Sequence, residues 1–95
     1  MEKYIELKDK DLASQIKRAL HSLVLNIAEG SADNSDIEFA RFLGISIRSA
    51  YETVSGFDLA LLYELITEEI NEKIETDAYE LAKQLSAFRN SLTMN

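Results

Sequence analysis

Residues 35–65, SDIEFARFLGISIRSAYETVSGFDLALLYEL, decide the fold. Ala40, Leu43, Ile47, Ala50, Val54, Phe57, Leu61 and Leu65 recur at intervals of three and four, the period of one helix face. The run opens on Ser35-Asp36-Ile37-Glu38, a capping box in which a serine and a glutamate satisfy free amides at a helix start. A helix over about residues 36–65 would be a rod of about 45 Å. Phe39, Phe42, Ile45 and Tyr51 lie off the main seam and widen it, so this helix is expected to touch more than one neighbour. Gly44 and Gly56 cost helix propensity, and close approach of another helix is the expected reason for them.

Working outward, a second segment over about residues 9–29 places Leu12, Ile16, Ala19, Leu20, Leu23 and Ile27 on one face. Gly30 follows where a left-handed cap is cheapest, and residues 31–35 read as a polar turn. A third segment, about residues 67–93, begins with the cap residue Thr67 and two glutamates, and carries the seam Ile70, Ile74, Ala78, Leu81, Leu85, Phe88 and Leu92. Short links between long helices predict an all-α, antiparallel up-down bundle with left-handed packing. Residues 1–8 read as a short arm: Tyr4, Ile5 and Leu7 suit a short strand, an extra helical turn or a contact with a neighbouring subunit.

Composition agrees. The 95 residues include no proline and three glycines, too few turn formers for a β sandwich or barrel. The length gives one domain, residues 1–95, burying about 60–65% of its unfolded surface. The net charge of −7 is lopsided, with seven bases and eight acids in residues 1–48 against three bases and nine acids in residues 49–95. That sign disfavours nucleic acid and anionic membranes as partners. No cysteine is present, so disulfides, thiolate nucleophiles and cysteine-ligated metals are excluded, in keeping with a cytoplasmic address. No run approaches the roughly 20 apolar residues of a membrane span.

No constellation for catalysis stands out, and neither a cofactor nor a metal is expected. His21, the single histidine, has no acid at an orienting spacing and reads as structural or superficial. Glu29 and Glu52 would act as a carboxylate pair only in a cleft that drives their pKa values apart; Arg48, one turn before Glu52, makes a helical ion pair the plainer account. The acids Glu64, Glu68, Glu69, Glu72, Glu75, Asp77 and Glu80 lack the loop and glycine of a calcium site and read as a solvated face. Lys8, Lys10, Lys17 and Arg18 are the one basic cluster, either a weak nucleic-acid patch or a surface matched to the acidic half of another subunit. Gln15, Arg18, Asn26, Arg48, Ser49 and Glu52 lie on or beside the buried stripes, and a polar network joining the first two helices is the expected result.

Several of these residues form a pattern. Gln15-Ile16-Lys17-Arg18-Ala19, Ser22 and Asn26-Ile27-Ala28-Glu29-Gly30, then Glu38-Phe39-Ala40-Arg41-Phe42-Leu43, Ser49 and Glu52, resemble the signature of a bacterial four-helix-bundle family. That family takes in proteins encoded by intervening sequences within large-subunit ribosomal RNA genes; accessory proteins of diversity-generating retroelements look like relatives. The likeness spans about residues 12–92. It implies a polar network of Gln15, Arg18, Asn26, Glu29, Ser49 and Glu52, and a ring-like homo-oligomer, pentameric in known members. Members usually carry a further long helix ahead of this motif, where this sequence has only a short stretch. Three long helices are therefore expected, with exposed apolar surface that calls for a partner, itself or an unidentified protein. Ala40, Leu43, Ile47 and Phe57 are the expected core, and Phe39, Phe42 and Tyr51 the expected contacts between subunits. The leading expectation is a non-enzymatic oligomeric scaffold or adaptor. The alternative is an accessory protein that binds structured nucleic acid or a reverse transcriptase through a basic rim.

Overall fold

A computed structural model describes residues 9–32 and 34–94. The described chain is all helical: α1 (Lys10–Ser31), α2 (Asp36–Leu62) and α3 (Glu68–Thr93). The expected N-terminal arm, residues 1–8, lies outside the described residues, and Lys8 of the basic cluster with it.

Each helix starts on a side chain that accepts from an otherwise unpaired amide. Asp9 Oδ1 takes the Leu12 N–H at 3.0 Å, Ser35 Oγ that of Glu38 at 3.2 Å and Thr67 Oγ1 that of Ile70 at 3.2 Å. The capping box is half made, because the Glu38 carboxylate accepts from Arg41 at 3.0 Å instead of turning back to Ser35.

Two helix ends differ from the sequence reading. Gly30 is not a left-handed cap: α1 continues through it to Ser31, and no glycine has positive φ among the described residues. It is buried because Phe39 and Phe42 press onto it; a Cβ there would stand 2.7 Å from Phe42 Cβ. α2 stops at Leu62, three residues before the apolar spacing runs out. Glu64 takes the left-handed conformation, φ 59°, its N–H donating to the Leu61 carbonyl at 2.9 Å while that of Leu65 donates to the Ala60 carbonyl at 2.8 Å. This is a Schellman cap, and Leu65 keeps the apolar period because the cap folds it back against the core. A glutamate at a site where glycine is favoured is strained. Glu64→Gly is expected to raise stability by about 0.5–1 kcal/mol, read as a higher urea midpoint with an unchanged slope.

The core has two clusters strung along the molecule. Leu12, Ala13, Ile16, Phe57, Ala60 and Ile74 form one; Leu23, Leu43, Ile47, Ala50, Ala82 and Leu85 form the other. All four expected core residues, Ala40, Leu43, Ile47 and Phe57, are buried. α2 is the middle helix. It packs against α1 on one side and α3 on the other, whereas no α-carbon of α1 comes within 8 Å of one in α3. The result is a slab of 47 × 21 × 16 Å.

Candidate functional site

The α1–α2 seam is built from small residues. Ser46, Ser49, Thr53, Gly56 and Ala60 recur at intervals of three and four beside the apolar stripe of α2. Gly56 lets α1 come so close that an added Cβ would sit 2.6 Å from Ile16 Cγ1. Gly44, expected to do the same, does not: its nearest neighbour would be an Arg89 nitrogen at 3.7 Å.

The buried hydroxyls on this seam are all satisfied. Ser46 Oγ donates to the Leu23 carbonyl at 2.8 Å across the interface, and Thr53 Oγ1 to the Ser49 carbonyl at 2.9 Å. The Ser22 and Ser49 hydroxyls lie 2.9 Å apart, and the Asn26 amide donates to both the carbonyl and the hydroxyl of Ser22, at 2.7 and 3.1 Å. Ser49 Oγ also reaches the Ile45 carbonyl at 3.1 Å. Among the described residues no buried side-chain nitrogen or oxygen lacks a partner. Ser46 and Thr53, both 0% exposed, were not singled out in the sequence, since a stripe counted from apolar residues alone passes over small hydroxyls.

The expected six-residue network is therefore only partly assembled. Asn26 and Ser49 meet through Ser22. Gln15, Arg18 and Glu52 are exposed and stand on the walls of an open groove of about 550 Å³ between α1 and α2, together with Arg48, Tyr51, Ser55 and Leu59. Because the seam closes on small side chains, the longer ones reach past it into solvent and form no buried network. Arg48 and Glu52 share a wall without the expected ion pair; among the described residues the ion pair within 4 Å is Arg41–Glu38. Glu29 is exposed on the last turn of α1 and does not line the groove; its carbonyl accepts from the Asn34 amide at 2.7 Å.

The other candidates are placed as follows. Phe39 is half-buried, edge-on to Phe88 with ring centres 5.2 Å apart, and Phe42 is half-buried under the Arg41 guanidinium and against Gly30. Both are engaged within the chain. Tyr51 is exposed, its ring 5.9 Å from that of Tyr79. Partial burial there and the nearby Glu75 carboxylate raise the Tyr79 phenol pKa. Lys10, Lys17, Arg18 and His21 are all exposed on α1, with Arg18 turned to the groove. The acids of α3 are exposed apart from half-buried Glu75, and among the described residues no three potential metal ligands come together.

A helical bundle with a closed hydroxyl seam and an open, mixed-charge groove is the class that this geometry defines. Within that class, residues 1–87 match the 23S rRNA-intervening sequence protein family, and the chain belongs to that family. No curated protein and no solved structure matches it. Among the described residues no helix is long and apolar enough to cross a membrane.

Proposed function

We propose that the protein is a non-enzymatic, cytoplasmic, homo-oligomeric bundle subunit that serves as a scaffold or adaptor, pentameric as its family resemblance implies. The observation that carries this is the apolar surface left open. Val24 is 61% exposed, Leu25 64% and Phe88 45%, in a chain whose core is small. Large apolar side chains left in water on α1 and α3 would gain burial against a partner. An up-down antiparallel order within the subunit is supported by two contacts, Ile16 against Gly56 and Gly30 against Phe42.

Light scattering on a sizing column, over a hundredfold range of concentration, tests the proposal. A constant mass of several subunits is expected, near five for the pentamer. A monomer throughout would overturn it.

Exposed Lys10 and Lys17, two helical turns apart on α1, favour nucleic-acid binding as a second reading, against a net charge of −7. Filter binding to structured RNA over rising salt distinguishes the two. A steep salt slope that Lys10→Glu/Lys17→Glu abolishes supports nucleic acid; no retention at low salt removes it.

A further inference from the structure

We infer that a dent on the outer side of α2, centred on Gly44, binds a small phosphate-class oxyanion through Arg41, Arg48 and Arg89. Glu38, Arg41, Gly44, Arg48 and Glu52 follow one another at intervals of three and four, so they form a row along one side of α2. Arg89 comes to the middle of that row from α3. Its Nη1 would stand 3.7 Å from a Cβ on Gly44, and among the described residues no other element comes as near. Arg48 is one turn further on, and helical side chains slant toward the preceding turn, which brings its guanidinium within reach of the same spot.

Three features mark the dent as a ligand site. The first is unmatched charge. Seventeen acids stand against ten bases, yet among the described residues neither Arg48 nor Arg89 has a carboxylate within 4 Å. Arg89 is half-buried, where an unpaired charge is costly. Arg41 is held by Glu38 at 3.0 Å and lies over the Phe42 ring, but this uses only one of a guanidinium's five donors. The second is the glycine. Gly44 costs helix propensity and no helix presses on it, so the space that it leaves is open to a ligand. The third is the boundary. Glu38 and Glu52 close the row at either end, and a long polyanion laid along α2 would meet both, whereas a compact one fits between them. A planar carboxylate is satisfied by one guanidinium fork; the oxygens of a phosphate point in several directions and take forks from two helices at once.

The dent also lies far from the N-terminal arm. Ile16 meets Gly56 and Gly30 meets Phe42, so α1 begins beside the end of α2, about 28 Å along that helix from Gly44. Residues 1–8 reach that distance only if fully extended.

Protein labelled with nitrogen-15 at glycine alone tests the site, because its three glycines give three amide signals. Sodium pyrophosphate, titrated at an ionic strength held constant with sodium chloride, should shift the Gly44 signal along a saturating curve and leave those of Gly30 and Gly56 in place. Arg48→Gln and Arg89→Gln should each weaken binding by about tenfold or more, the loss expected for a charged hydrogen-bond partner. Arg89→Lys keeps the charge without the fork and should recover only part of that loss. Lys17→Gln, on the exposed side of α1, should bind as the wild type does. Far-ultraviolet circular dichroism should be the same for all of these variants. Citrate at the same ionic strength should bind more weakly than pyrophosphate. No shift at Gly44, equal shifts at all three glycines, or binding that Arg48→Gln and Arg89→Gln leave untouched would overturn the site. Citrate binding as tightly as pyrophosphate would overturn the phosphate class.

Discussion

Phe57→Ala is expected to destabilise the protein by about 3–5 kcal/mol, the range for truncating a large aromatic in a packed core. Phe57 is 0% exposed and belongs to a core cluster drawn from all three helices: Leu12, Ala13 and Ile16 from α1, Ala60 from its own helix and Ile74 from α3. Two of the cluster's members, Ala13 and Ala60, are alanines that cannot extend to fill a gap, so the site is expected to collapse poorly and the cavity cost to stay near the top of its range. A domain of this length has about 5–14 kcal/mol in all, so the loss removes a large share of it. Urea unfolding followed by circular dichroism reads the effect directly, and a thermal melt should fall by more than about 12 °C. Leu62→Ala is the control. Leu62 is equally apolar but 71% exposed, and its truncation should stay within about 0.5 kcal/mol of the wild type. A loss below 1 kcal/mol at Phe57 would mean that the two clusters are not the core.

The helices were legible because their apolar residues repeat at three and four, and the cap residues Ser35 and Thr67 were legible from local sequence. Asp9 reads only as the start of its helix, and the structure makes it the cap. What lay beyond reading was decided between helices. Gly30 has the sequence context of a cap, yet the structure uses it for the approach of Phe42, and nothing local distinguishes the two uses. Glu64 gave no hint of a left-handed turn, since Leu65 keeps the period that a longer helix would have shown. The polar residues divide by size. Ser22, Asn26 and Ser49 are short enough to bond inside the seam, while Gln15, Arg18 and Glu52 reach solvent from neighbouring positions on the same helices. Ser46, Thr53 and Ala60 form the true contact line with α1, and counting small residues alongside apolar ones would have found it. The separation of α1 from α3 is a property of the assembled chain and has no trace in the periodicity.

The glycines separate these two kinds of information, and substituting each by alanine should give opposite signs. In a helix interior alanine gains about 0.8–1 kcal/mol over glycine. At Gly44 nothing opposes that gain, because the new methyl would meet only an Arg89 nitrogen at 3.7 Å, the far end of a flexible side chain. Gly44→Ala should therefore stabilise by about 0.5–1 kcal/mol. At Gly56 the methyl would stand 2.6 Å from Ile16 Cγ1, and Ile16 is 1% exposed with one strongly preferred rotamer in a helix, so it cannot swing away. At Gly30 the obstacle is Phe42 Cβ at 2.7 Å, fixed to the α2 backbone, and only movement of one helix against the other relieves it. Overpacking costs about 1–3 kcal/mol, enough to exceed the propensity gain, and it should be larger at Gly30 because no side-chain rotation can relieve it. The expected order of urea midpoints is Gly44→Ala above wild type, then Gly56→Ala, then Gly30→Ala. If all three substitutions stabilised alike, propensity alone would govern these positions and α1 would not lie as close to α2 as the seam requires.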